Sequence, residues 1–384
     1  GTVHMAARIV AAIRHNAEAD SATCADIDAD QEKWIRMAAL VHDVSHMPFG
    51  HHIEDALGLF GRHDRPERMA LMFSMESAIG RALEAHGCRH QVAAALGCGD
   101  AHVPPFIGQV VEDAVGADLL DYLARDAHYT GLRSAVDERI YAAFKIDQDS
   151  GTLYLDAVKG GVLRHDVVSE VVRLLEDRYT FSERVYYHHA KVAAGTLVAR
   201  GCGALAAGGH LPDEQDLARL TDEGLLRLLE SDDAARPWAD RYRCRRLPKR
   251  ACVYPLYANR DLQAELSGRL FAAEGADERA ALEKGMAEAA GLVADQVMVV
   301  CPETNMQLKE ADVPVRWPGD PEIRPLSELA ERVPRLPQLA EATRDLWRIY
   351  VFVQDGEPDA CRRVRQAASD AFPGARNVLE DPGG

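Results

Sequence analysis

The sequence predicts a mainly α protein, a helical bundle over residues 1–292 followed by a small α/β subdomain over residues 293–384. Apolar residues recur at helical spacing in one stretch after another. Ala, Leu, Glu and Arg, all good helix formers, are abundant. Near residue 293 the texture changes: β-prone runs at 296–302 (QVMVVCP) and 347–354 (WRIYVFVQ) flank a Pro-rich span at 313–337.

Residues 1–15 read as a helix already under way, with Val3, Ala6, Ile9, Val10 and Ile13 on one face. The polar, acidic stretch 16–31 reads as a surface loop, and 32–41 as a helix turning Trp34, Ile35, Ala38, Ala39 and Leu40 inward. Residues 58–67 are a turn-rich connection, 69–97 one or two helices, 99–105 a loop and 106–113 a short helix. A hairpin is expected at 145–157, turning at Asp149, Ser150 and Gly151. Residues 167–200 read as one long helix, 211–230 as loop and helix, 261–292 as helix and 360–372 as the last helix, before a frayed EDPGG end. The segment 241–250 (RYRCRRLPKR) is a basic island in an acidic chain, which on its own reads as a basic edge strand or surface turn that balances neighbouring acids.

Composition narrows the class. The 384 residues are 47% hydrophobic and 27% charged, as in a soluble enzyme, and are enough for a large core. A net charge of -17 argues against binding along nucleic-acid backbones. No apolar run reaches membrane-span length and no signal peptide is visible. The eight cysteines form no C-x-x-C pair, which suits free thiols in a reducing cytoplasm. Neither a G-x-x-x-x-G-K-[ST] loop nor a G-x-G-x-x-G fingerprint is present.

Chemistry concentrates in residues 38–54, AALVHDVSHMPFGHHIE. If the helix continues, His42 and His46 project from one face a turn apart, with Asp43 beside His42. Imidazole with carboxylate suits a divalent transition metal such as Mn, Fe, Zn, Ni or Co. Pro48 ends that helix or begins the next, and His51, His52 and Glu54 open a second segment. So many titratable groups flanking an apolar helix are costly unless something binds there; solvated or core-satisfied histidines are the alternative. Farther on, Asp118, Tyr122 and Asp126 fall at i, i+4 and i+8 on one helix face, with Asp121 and Arg125 on the adjoining strip. A solvated helix bearing an Asp–Arg pair is the alternative there. Tyr186 and His189, three apart, share a helix face, and an aromatic anchor in a bundle is the competing reading.

The run from His42 to His51, HDVSHMPFGH, resembles the HD-domain phosphohydrolases, and most closely their deoxynucleoside triphosphate triphosphohydrolase branch, whose pattern is H-D-[IL]-G-H-x-P-F-x-H. Ser45 stands where that pattern has glycine. The later D-x-x-D-Y-x-x-R-D of residues 118–126 and R-x-Y-x-H-[KH] of residues 184–189 extend the resemblance, which covers nearly the whole chain. The resemblance implies that His42, Asp43 and Asp118 hold the metal, with Mg as a further ion. His46 and His63 would meet substrate phosphates, and His51 would act as general acid with Glu54 orienting it. Tyr122, Asp126 and Tyr186 would line the sugar and His189 would meet phosphate. A first metal-ligand histidine would lie three residues before Gly1, with His4 the alternative, and an arginine contacting phosphate would also lie upstream. In 241–250, Pro248 replaces a family tyrosine where some relatives face a regulatory nucleotide.

The function so implied is hydrolysis of dNTPs to deoxynucleoside and tripolyphosphate by a cytoplasmic homo-oligomer. Residues 1–292 would form the HD catalytic region. The alternatives are an HD phosphohydrolase for another nucleotide or phosphomonoester, and a non-catalytic nucleotide-binding regulator.

Overall fold

The computed structural model describes residues 1–57, 60, 62–63, 65–271, 275–302, 308–320 and 322–379. Asp64, next to the expected site histidine His63, and the end expected to fray at 380–384 lie outside the described residues. Helices dominate and the sheets are small, so the predicted fold class holds. The chain divides into two compact units, each assembled from three segments. One comprises Gly1–Ser45, Asp64–Phe181 and Leu308–Ala340; the other comprises His46–His63, Ser182–Gln307 and Glu341–Gly384. The boundary expected after residue 292 falls inside the second unit, and residues 293–384 supply strands to two different sheets.

In the first unit, the helix Thr2–Ala19 buries Ala6, Ile9, Val10 and Ile13 against the helices Ala29–Val41 and Ala117–Thr130. It outruns its predicted end, so the loop expected over 16–31 shrinks to the residues between Ala19 and Ala29. A reciprocal capping box starts the second helix: Gln31 N–H donates to Asp28 Oδ1 at 2.8 Å, and Asp28 N–H donates to Gln31 Oε1 at 3.0 Å. Where one or two helices were expected over 69–97, three form, Pro66–Met72, Ala78–Ala85 and Arg89–Ala95, separated by short turns and by the Ser77 cap. The predicted hairpin is present, Phe144–Ile146 against Leu153–Asp156, with Ser150 N–H donating to the Asp147 carboxylate at 2.9 Å in the turn. Strand Pro314–Arg316 joins it in parallel, and Arg316 and Lys145 both reach the buried Asp156, at 3.0 and 2.9 Å.

The second unit is built on the helix His189–Ala207, against which His51–Leu57 and Arg236–Arg243 pack. Met47, Ile53, Val198, Cys202, Leu225 and Leu229 form its apolar centre. A three-stranded antiparallel sheet places Arg348–Val353 between Lys249–Pro255 and Val297–Val300. The helices Ala276–Ala289 and Pro358–Ala371 pack together and cover it. The basic island therefore ends in an edge strand, one of its two expected readings. Among the described residues no helix is long and apolar enough to cross a membrane.

Two expectations about helix continuity are overturned. The helix before the HD run stops at Val41, His42 caps it and turns follow, so His42 and His46 do not share a helix face. The long helix expected over 167–200 stops at Phe181; a π-turn spans Ser182–Tyr186, closed by Tyr187 N–H donating to the Ser182 carbonyl at 2.8 Å. His188 is extended and caps the next helix, so the shared face argued for Tyr186 and His189 does not exist.

Gly195 in the core helix lies where a Cβ would overlap the ring of His52. Helix propensity alone favours alanine over glycine by about 1 kcal/mol, whereas overpacking at a close contact costs about 1–3 kcal/mol. Gly195→Ala is therefore expected to be neutral to destabilising, lowering the urea midpoint by up to about 2 kcal/mol equivalent; a clear gain in midpoint would refute the close contact.

Candidate functional site

His42 sits at the carbonyl end of the helix Ala29–Val41, and Asp118 lies in the first turn of Ala117–Thr130, where a helix dipole stabilises a carboxylate. His42 Nδ1–H donates to the Ala39 carbonyl at 3.1 Å. That bond fixes the tautomer, because a carbonyl only accepts. Nε2 is left turned toward Asp118 Oδ1 at 3.2 Å and Asp43 Oδ2 at 3.4 Å. Burial works to lower the His42 pKa, but the Asp118 hydrogen bond and the Asp43 and Asp118 charges outweigh it and hold it above the ordinary value.

A neutral imidazole nitrogen facing two carboxylates is a convergence of acceptors that a cation must satisfy. Either a proton on Nε2 or a metal ion does so. The ligand-capable atoms of the three residues lie within 4.8 Å of one another, and an outer Nδ1–H held by a backbone carbonyl is how metal-bound histidines are commonly oriented. The residues present therefore fit a divalent ion through one nitrogen and two carboxylate oxygens. Glu112 adds a further negative charge near His42 that the sequence reading missed.

The helix that carries Asp118 also carries Tyr122 and Asp126, both half-buried. Arg178 donates to the Tyr122 hydroxyl and lies 5.8 Å from its ring centroid. No sequence signal singled out Arg178, which sits in a run of ordinary helical character. Arg125 and Asp121 pair at 3.1 Å on the adjoining strip, so the Asp–Arg pair and the Asp118, Tyr122 and Asp126 stripe lie on one helix.

In the second unit, His46, His51 and His63 gather around Glu54, whose side chain is 0% exposed. Their Nδ1 atoms face its carboxylate at 3.9, 3.4 and 3.2 Å respectively. His46 and His63 stack at 3.6 Å, and His51 meets both edge-on at about 5 Å. Burial works to raise the Glu54 pKa, but the hydrogen bonds from His51 and His63 and the imidazole charges overcome it and hold the carboxyl well below its usual range. These three rings also bring ligand-capable atoms within 4.8 Å of one another. With Nδ1 turned to the buried carboxylate, each ring keeps its other nitrogen for an outside partner.

Tyr186 ends the π-turn and His189 begins the following helix, both half-buried. Burial, then the charges of Arg250, His188 and Lys249, push the His189 pKa down to about 4. His189 is therefore neutral at pH 7, and the positive charge in its neighbourhood belongs to Arg250 and Lys249. His4, the alternative first ligand, is an exposed residue of the helix Thr2–Ala19.

The family model described as HD associated region matches residues 157–376, more than half of the chain. The chain belongs to this HD-associated family. Two curated relatives match more weakly. An uncharacterised protein of Methanocaldococcus jannaschii is 26% identical over 208 residues, covering 53% of this chain and 40% of that one. The deoxynucleoside triphosphate triphosphohydrolase SAMHD1 homolog of Dictyostelium discoideum is 24% identical over 222 residues, covering 54% and 40%. The matches thus span well under half the length of either relative. Among solved structures, a phosphohydrolase from Bacteroides thetaiotaomicron superposes with a TM-score of 0.62 at 16% identity, covering 92% of this chain and 86% of that one. That likeness shows that this HD-associated chain shares its fold.

Glu54 gives a pH prediction with a defined sign. Its folded pKa lies below the ordinary value of 4.5, so its contribution is complete above pH 4.5 and is lost as pH falls below it, where only the unfolded chain takes up the proton. Glu54→Gln is expected to cost about 1.5–3 kcal/mol at pH 7, the scale of hydrogen bonds to a charged group. In chemical denaturation the gap between variant and parent should narrow below pH 4.5, and a gap that widens there contradicts the assignment.

Proposed function

We propose that the protein is a metal-dependent phosphohydrolase that cleaves deoxynucleoside triphosphates to deoxynucleoside and tripolyphosphate. The observation that carries this reading is His42 Nε2 turned toward Asp43 and Asp118 while its Nδ1–H is held by Ala39. The family membership and the triphosphohydrolase activity for which the Dictyostelium relative is named support it. A divalent ion, when bound, supplies positive charge for phosphate oxygens and lowers the pKa of a water.

In this reading His42, Asp43 and Asp118 hold the ion. His46 and His63 present ring N–H groups to phosphate oxygens, and His189 does the same as a neutral donor. Water adds its oxygen to the α-phosphorus and sheds a proton to solvent as the bond to the 5′ oxygen breaks. His51, oriented through Nδ1 by Glu54, hands a proton to that leaving oxygen from its other nitrogen. Tyr122, Asp126 and Tyr186 contact the deoxyribose, where a 2′-hydroxyl is to be excluded. A cytoplasmic homo-oligomer belongs to the same reading.

Protein loaded with Mn and offered each dNTP in turn is expected to release deoxynucleoside and tripolyphosphate. The double substitution His42→Ala/Asp43→Ala should lower turnover by at least about 10³-fold, the scale of losing a principal electrostatic element, and should strip the metal seen by elemental analysis. Turnover of another nucleotide or a phosphomonoester, with no dNTP consumed, would keep the reaction type and replace the substrate. Asp126→Ala is expected to lower dNTP turnover about 10-fold or more, as loss of a positioning contact does, with metal content intact. Equal loss of both would remove Asp126 from the substrate role.

A further inference from the structure

The chain between His46 and His51 passes through the left-handed region at two successive residues. Phe49 has φ 64° and Gly50 φ 49°, two consecutive left-handed residues. Glycine adopts this region freely, but a bulky aromatic there is a rare outlier that persists only where surrounding contacts over-determine it.

Three contacts do so. The Phe49 N–H donates to Asp222 Oδ1 at 2.8 Å, across 173 residues of chain. Its carbonyl accepts from His52 Nδ1–H at 3.1 Å, and its ring meets Tyr242 edge-on at 5.4 Å and 85°. His52 is itself wedged against Gly195 of the core helix. Asp222 lies in the first turn of the helix Asp222–Ser231, and Tyr242 lies near the end of Arg236–Arg243. The backbone reversal at Phe49 and Gly50 is what returns His51 to within 5.0 Å of the His46 ring, on the carboxylate of Glu54.

We infer that Asp222, aided by Tyr242, is a positioning residue: it clamps Phe49 in its left-handed conformation and so sets His46 and His51 around Glu54. The catalytic consequence rests on the phosphohydrolase reading; the geometric one does not. Asp222 is suited to such a test, because it is exposed and its replacement empties no core. Without the carboxylate, Phe49 relaxes toward negative φ and His46 separates from His51. Asparagine at 222 keeps an oxygen that accepts the same N–H.

The experiment compares the parent with Asp222→Ala, Asp222→Asn and Tyr242→Leu, using protein with 15N-labelled histidine. Long-range 1H–15N spectra report the ring environments, with exposed His4 and His15 as internal references. Asp222→Ala and Tyr242→Leu are expected to move or broaden the His46 and His51 ring signals while the references stay fixed. Asp222→Asn should restore the parent spectrum. With the substrate that the parent turns over, Asp222→Ala should lower kcat by about 10–100-fold with KM within about twofold, the scale of an ångström-level misplacement, and asparagine should recover most of it. Parent-like His46 and His51 signals in Asp222→Ala overturn the positioning role whatever the turnover. Should the parent cleave no phosphate ester, the functional reading falls and the ring spectra alone decide the positioning claim.

Discussion

The imidazole of His42 has two nitrogens with opposite obligations, and the local structure is arranged around that asymmetry. One nitrogen is committed inward, to the carbonyl of Ala39 three residues back, which is free because the helix ends there. The other is thereby presented outward as a lone pair, toward carboxylates from its own neighbour and from the start of a distant helix. The early stop of that helix leaves the Ala39 carbonyl with the imidazole as its partner in place of a next-turn N–H.

The imidazole cluster solves the reverse problem. Three histidine rings within about 5 Å of each other repel if protonated, and a carboxylate buried among them removes that cost while fixing which nitrogen each ring turns inward. The carboxylate in turn stays ionised in a buried position because of the rings.

Much of this was legible in the sequence. Dense titratable residues at 42–54, the i, i+4, i+8 stripe of Asp118, Tyr122 and Asp126, and the alternation of helix with late β-prone runs all report local chemistry, and the structure retains them as local features. Breaks within helical patterns were not legible. The sequence 181–189 has no proline or glycine to announce a π-turn, and nothing in 38–46 marks Val41 as a last helical residue. Partnerships made at a distance were equally hidden: Arg178 with Tyr122, and Asp222 with Phe49, join residues that look like routine surface charges. The division into two interleaved units also escaped, because periodicity describes each element and not which sheet a strand joins.

That interleaving bears on how the molecule is made. Strand Pro314–Arg316 lies parallel to Leu153–Asp156, and the Arg316 guanidinium closes on the Asp156 carboxylate across 160 residues. A ribosome adding about 5–20 residues per second needs about 8–30 s to cover that interval. During this time the edge of Leu153–Asp156 that Pro314–Arg316 will take is open, and Asp156 holds Lys145 and the Val158 N–H but not Arg316. Nearly the whole second body of the chain is synthesised while the first waits unfinished. The nascent chain therefore keeps one strand edge unpaired until Pro314–Arg316 has been made.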